Sequence, residues 1–216
     1  DNHRQVAAAL DQFIPHTGDD QAVISLTLDG QTTAQYAASF DQLAPTFYEN
    51  LTTETIEQSH SQNQVLAQRL TAKCPHAQNE KQWEAWTLVT GQHSEARTGH
   101  TLSSYDGDDS GVLIGADFTH NPNLVTGLFT GTRSTKNDYQ SGGRNKLNTK
   151  VVGGYASYQS GALRLNGILS GGQTEYRLRR TIRFGGINRA AEADPDGSHF
   201  SAYLDASFDH NVGSMT

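Results

Sequence analysis

Few residues in this sequence are spaced for chemistry, and their surroundings argue against most of them. Asp106, Asp108 and Ser110, with Gly111 in sixth place, Leu113 in eighth and Asp117 in twelfth, follow the spacing of a calcium-binding EF-hand loop. Such a loop needs a helix on each side. Here Gly91 and Gly99 lie upstream and a strand broken by Pro122 lies downstream, so the stretch reads as an acidic surface loop entering a strand. The nine histidines are scattered, with no His-Glu-x-x-His and no paired Cys/His spacing. Cys74 is the single cysteine, which excludes an internal disulfide, and its closeness to His76 does not make it a nucleophile. There is no Gly-x-Ser-x-Gly elbow and no phosphate-binding Gly-x-x-x-x-Gly-Lys. Asp209 and His210 are adjacent along an alternating run, so their side chains diverge to opposite faces. No catalysis, metal or cofactor is expected.

The elements that would position these residues fall into two unlike parts. Residues 1 to 80 contain only Gly18 and Gly30 and read as helical. Val6, Leu10, Phe13 and Ile14 form one apolar helix face before Pro15. Asp19 or Asp20 would cap a second short helix through Val23, Ile24 and Leu26, ending near Gly30. Tyr36, Ala37, Phe40 and Leu43 mark a third, stopped by Pro45. A longer segment follows from Thr46 to Ala72, nearly all polar between Thr52 and Arg69, with Ile56, Val65 and Leu66 as exceptions. A helix polar all round needs polar surroundings. A water-lined pore supplies them, and so does an exposed linker.

From Trp83 onward the period changes to two. Val112, Ile114, Ala116 and Phe118 alternate with Leu113, Gly115, Asp117 and Thr119. Leu163, Leu165, Gly167 and Leu169 face away from Arg164, Asn166, Ile168 and Ser170, and Phe200, Ala202, Leu204, Ala206 and Phe208 away from Ser201, Tyr203, Asp205 and Ser207. Short turns at His120–Asn123 and Gln159–Gly161 contrast with long polar connections at Ser134–Lys146 and Gly185–Ser198. The chain has 16 Lys and Arg against 23 Asp and Glu, a formal charge of −7. That balance makes nucleic acid a poor partner. No stretch approaches the roughly 20 apolar residues of a transmembrane helix, and mean hydropathy is −0.61. A membrane β-barrel is compatible with both facts, because only every second residue meets lipid. A soluble extracellular β-rich binding domain also alternates. The small, short apolar faces favour the barrel, with Phe200 and Phe208 bracketing one of them as an aromatic girdle would.

Several blocks then resemble the autotransporter β-domain family. They are Leu124–Ser134, Val151–Tyr158, Leu163–Gly167, Thr181–Gly186 and Asp196–Leu204, in that order and spacing. Asp41-Gln42-Leu43-Ala44-Pro45 and the long helix after it are similar to the segment before that family's barrel. The resemblance covers roughly Asp41 to Phe208 and implies a twelve-stranded outer-membrane barrel ending in an aromatic residue. About six strands are legible here, so the expectation is the N-terminal half of an antiparallel outer-membrane β-barrel, mainly β, preceded by a helical segment. Half a barrel cannot close, and an open edge is not tolerated in lipid. The chain is therefore expected to be truncated and not to translocate alone.

The resemblance implies type V secretion, with the barrel exporting and anchoring an upstream passenger in the bacterial outer membrane. Residues 1–45 would be the passenger's helical tail, 46–80 a polar linker or pore helix, and 81–216 the incomplete barrel. Expected partners are outer-membrane lipid, the chain's own passenger and the outer-membrane assembly machinery. Parity places Asp117, Arg164, Asn166 and Asp205 in the lumen, where they would hydrogen-bond the helix and hydrate the pore. Gln58, Gln62, Asn63 and Gln68 would be the helix side of that contact. Some members of the family cleave at a pore-helix asparagine. Asn63 is the only asparagine after Thr52 in the polar stretch, but no poised base is visible beside it, so it reads as a plain polar helix residue. Arg177, Arg179, Arg180 and Arg183 are expected above the membrane on an extended hairpin, where guanidinium groups could meet phosphates or carboxylates.

Overall fold

The computed structural model describes residues 32–43, 46–73, 82–96, 105–139, 142–184 and 187–208. The two helices expected before Gly30, Cys74 with His76, and Asp209 with His210 lie outside them. Helix α1 spans Thr33–Leu43. Its start is a capping box: the backbone N–H of Gln35 donates to Thr32 Oγ1 at 3.4 Å, while that of Thr32 donates to Gln35 Oε1 at 2.9 Å. Helix α2 spans Thr46–Lys73 and contains neither glycine nor proline over its 28 residues, which makes it about 42 Å long.

The strands are β1 (Gln82–Ala96), β2 (Tyr105–Asn121), β3 (Leu124–Tyr139), β4 (Gly143–Ser160), β5 (Leu163–Phe184), β6 (Ile187–Ala193) and β7 (Asp196–Phe208). Each of β1 to β5 pairs antiparallel with the next, and both β6 and β7 pair with β5. Where six strands were expected there are seven, for a simple reason. β6 covers the far end of β5 (Leu178–Phe184) and β7 the near end (Leu163–Glu175), in one unbroken register. The break is at Asp194-Pro195, because proline has no N–H for the ladder. Pro195 still accepts a hydrogen bond from Tyr176 N at 3.0 Å. The two segments are one strand interrupted, and among the described residues the sheet does not close.

Two expected loops are strand instead. β3 runs on to Tyr139 and β4 resumes at Gly143, while β6 and the start of β7 occupy most of Gly185–Ser198. Apart from Tyr139, the extensions of β3 and β4 are polar on both faces, which hid their alternation. The acidic stretch Asp106–Asp117 likewise lies within β2 rather than in a loop. Alternation sends Asp106 and Asp108 away from Asp109, and no metal-binding group forms among the described residues. The near turns are as expected. Asn123 N donates to Asn121 Oδ1 at 2.9 Å, and Gly161 has φ +57° at the first position of a two-residue turn, where a side chain is disfavoured.

The outward face, away from α2, carries the large apolar residues. Leu128 is 72% exposed, Phe200 75%, Leu204 88% and Phe208 69%. A soluble sandwich would bury this set, and here it is the set that water or lipid must cover. Near the short turns it ends in aromatic residues, with Trp83 and Phe118 4.8 Å apart between ring centroids and Tyr158 and Phe208 exposed alongside. That is the girdle of a membrane interface.

Candidate functional site

The residues that could do work are gathered where α2 lies along the inward face of the sheet. Glu54, Gln58, Gln62, Leu66 and Leu70 are all buried, and their spacing puts them on one side of the helix. That side changes character along its length, from acid through amides to apolar side chains, and ends at Arg69 and Lys73.

At the turn end of the sheet, Asp117 is fully buried. Arg69 reaches it with both terminal nitrogens, at 3.2 and 2.6 Å, and Lys73 Nζ at 2.5 Å. Lys73 also donates to Glu84 Oε2 at 2.7 Å. Two helix cations thus meet two wall carboxylates, and the cluster is neutral. Trp86 Nε1 lies 3.1 Å from Asp117 Oδ1 and 2.8 Å from the Tyr155 hydroxyl, which itself donates to Asp117. The Arg69 guanidinium stacks 4.4 Å above the Trp86 ring. The cations occupy the last turns of α2, where the helix dipole favours positive charge.

These rings lie flat because glycines face them. A Cβ on Gly115 would stand 2.4 Å from Trp86, one on Gly127 2.3 Å from Tyr155, and one on Gly153 2.5 Å from Phe129. The rings therefore cover bare backbone instead of standing into the lumen, as in the pairing of aromatics with sheet glycines. The room saved is what α2 fills. Above this level Leu66, Ala67 and Leu70 pack on Leu113, Phe129, Val151, Tyr155 and Ile168. The inward face is thus not uniformly wet, contrary to the expectation of a polar lumen. An apolar belt seats the middle of the helix.

Further along, Arg133 donates to Asp109 Oδ2 at 2.6 Å and to the Gln58 carbonyl at 2.8 Å. The Gln58 side chain donates to Thr135, and Thr149 donates to Gln58 Oε1 at 3.2 Å. Asn63 Nδ2 donates to Ser201 Oγ at 2.8 Å. At the far end, Tyr139 donates to Glu54 Oε1 at 2.5 Å, and Asn145 Nδ2 lies 3.3 and 3.2 Å from the two carboxylate oxygens. Glu54 sits beside the strand extensions, outside the membrane-crossing part. Burial holds its pKa above the usual carboxylate value, with Glu57 adding to the effect, although Tyr139, Asn137 and Asn145 oppose it.

The residues singled out from sequence divide accordingly. Asp117 bonds the helix. Arg164, Asn166 and Asp205 face inward but bond within the wall. Ser157 donates to Asn166 Oδ1 at 2.6 Å, Asn166 donates to Asp205 Oδ2 at 3.1 Å, and Arg164 donates to Gln159 at 3.4 Å. Of the helix residues, Gln58, Gln62 and Asn63 are buried and Gln68 is exposed. Glu54, Arg69, Lys73, Arg133, Tyr139 and Asn145 escaped the sequence reading. The four-residue spacing of Glu54, Gln58, Gln62 and Leu66 was the available signal, masked because its members differ in polarity.

No curated protein matches the chain. Two autotransporter domains are among the solved structures that resemble it. The translocator domain of autotransporter NalP from Neisseria meningitidis superposes with a TM-score of 0.54 at 15% identity, over 74% of this chain and 55% of that one. The beta domain of the Bordetella autotransporter BrkA gives a TM-score of 0.43 at 23% identity, over 56% of this chain and 47% of that one. The chain spans about half the length of each. The first of these likenesses establishes the fold. Residues 85–216 match the family described as Autotransporter beta-domain; the chain belongs to that family of bacterial outer-membrane β-barrels.

Proposed function

We propose that the strands form part of an outer-membrane pore that exports and anchors an upstream passenger, and that α2 is the length of chain lying in its lumen after export. The observation that carries this reading is the seat itself. A 28-residue helix with a mostly polar sequence lies lengthwise on the inward face, tied at both ends, while the exposed apolar residues of the strands point the other way. Residues 1–45 would then be the passenger's tail, 46–80 the pore segment and 81–216 the first strands of the barrel. Partners under this reading are outer-membrane lipid, the passenger and the outer-membrane assembly machinery. Asp117, with Gln58, Gln62 and Asn63, would hold the segment in place; Arg164, Asn166 and Asp205 would stiffen and hydrate the wall. Gln68 would face the barrel strands that follow.

The test uses the full-length protein. After cell fractionation it should be recovered in the outer membrane, and protease added to intact cells should remove the passenger while sparing residues 46–208. In planar bilayers, deleting 46–73 should raise the single-channel conductance severalfold, since the helix occupies the lumen. Recovery in the soluble fraction, or an unchanged conductance, would overturn the reading.

A further inference from the structure

The contacts at the two ends of α2 read side chains. One contact between them reads the main chain. Arg133, on β3, donates through Nη1 to the carbonyl oxygen of Gln58 at 2.8 Å. Within a helix that carbonyl already accepts the N–H four residues on, and its second lone pair is free to take the arginine. Nη2 of Arg133 lies 3.3 Å from Ser61 Oγ, about one turn along. The guanidinium thus lies against a single turn of α2 without unwinding it.

The groups that aim the guanidinium belong to the wall. Nε donates to Asp109 Oδ2 on β2 at 2.6 Å, and Nη2 lies 2.5 Å from the same oxygen. Thr135, the next inward residue of β3, donates to Asp109 Oδ1 at 2.6 Å. Gly111 stands opposite Arg133 in the ladder, and a Cβ there would come 3.2 Å from Arg133 Cγ. Bare backbone at Gly111 lets the arginine stem lie flat, as glycines do for the rings nearer the turns. The side chain is therefore ordered by the wall, and a chain that meets it costs little further entropy. Asp109 also cancels the arginine's charge, so the pair has no net attraction that would select an acidic side chain over a peptide carbonyl. The two side chains are 9% and 10% exposed, and water competes weakly for the remaining donor.

We propose that the Asp109–Arg133 pair is a main-chain grip, a site in the lumen wall that binds polypeptide through a backbone carbonyl whatever its sequence, with α2 as the segment now bound. Every residue of a chain offers such a carbonyl. The contacts of Asp117 and Tyr139, in contrast, need an arginine, a lysine or an acid at set positions of the helix. The two ends then fix which segment stops in the pore and in what register, and this contact holds whichever segment lies there. The inference rests on the export reading only in taking α2 as one segment of a longer chain that passes through.

The experiment follows hydrogen exchange of the α2 amides in purified full-length protein. Asp109→Asn combined with Arg133→Gln removes the grip and strands no charge. It should speed exchange around Gln58 about tenfold, as for a lost hydrogen bond from a charged group. The same two substitutions should act equally in a chain whose residues 57–61 are all alanine, because the carbonyl is still present. They should act less than about threefold where the α-hydroxy analogue of serine replaces Ser59, since the Gln58 carbonyl is then an ester and a poorer acceptor. With the wall native, that ester should speed exchange at least about threefold more than an ester placed at position 60. This last arm reads the contact even where the wall variant folds poorly. An effect below about twofold in the natural sequence, its loss in the alanine chain, or equal effects of the two esters would each overturn the proposal. Loss in the alanine chain would assign the contact to the side chains of Gln58 and Ser61. Failure of the export reading would appear instead in the fractionation, and would leave these exchange rates as they are.

Discussion

The two ends of the helix seat each bury a carboxylate, and they hold it in different ways. At the turn end the acid belongs to the wall, and two helix cations answer it, with Glu84 balancing the second. At the far end the acid belongs to the helix, and the wall answers Glu54 with neutral donors, Tyr139 and Asn145 among them. Ion pairing keeps Asp117 charged. Neutral hydrogen bonds leave Glu54 carrying the desolvation cost of its own charge. Opposite responses follow from this: neutralising the first acid should loosen the helix, and neutralising the second should not.

The largest effect is therefore expected at Asp117. Asp117→Asn leaves Arg69 facing a neutral amide in a buried position, while Lys73 retains Glu84. Removing one member of a buried charge pair costs about 3–5 kcal/mol. In full-length protein the unfolding midpoint should fall accordingly, and conductance should become noisy as the end of α2 detaches. Combining Asp117→Leu with Arg69→Met should recover part of the loss, because no charge is then stranded. A midpoint unchanged in Asp117→Asn would show that the cluster does not hold the helix.

Between the two ends the seat is apolar, and Leu70→Ala separates packing from charge. Leucine truncation in a core costs about 2–5 kcal/mol. This site borders a lumen that can admit water, so the cost should lie at the lower end, about 2 kcal/mol. The loss should be the same at every pH. A dependence on pH would mean that Leu70 acts through the Arg69 and Lys73 cluster rather than through contact with Phe129 and Val151.

What the sequence disclosed follows from periodicity. The runs Val112–Phe118 and Phe200–Phe208 alternate apolar with polar, so parity assigned every side chain in them to a face, Asp117 and Asp205 included. The strand extensions were read as loops because Lys136, Asp138, Asn145 and Lys146 are polar on both faces, and a period needs contrast to be seen. The helix seat was hidden in a similar way. Glu54, Gln58 and Leu66 share a face but not a chemistry, and a search for an apolar stripe passes over them. Arg164, Asn166 and Asp205 show what parity omits. It gives the face, but not whether an inward residue meets the helix or its own strand neighbours. Near the turns α2 bonds Glu84 of β1 and Asp117 of β2, while Arg164, Asn166 and Asp205 bond within the wall.

The smallest effect, and the one whose sign is most informative, is at Glu54. Its folded-state pKa is raised above the ordinary 4.5, so the docked helix holds a proton over a window in which the undocked chain has lost it. Stability must then be greatest on the acid side and decline as pH rises through the docked value. This is the reverse of an ion-paired acid such as Asp117, whose partners favour the charged form. Glu54→Gln fixes the neutral state. It keeps an acceptor for Tyr139, and the unpartnered Asn145 Oδ1 nearby offers its new amide hydrogens an acceptor. The variant should be no less stable than wild type at neutral pH, gaining up to about 1 kcal/mol, and its stability should be flat from pH 4.5 upward where that of the wild type declines. Hydrogen exchange of the α2 amides at several pH values reads this directly. Protection that rises with pH in the wild type would mean that Tyr139 and Asn145 stabilise the carboxylate more than burial penalises it, and the two ends of the seat would then be alike.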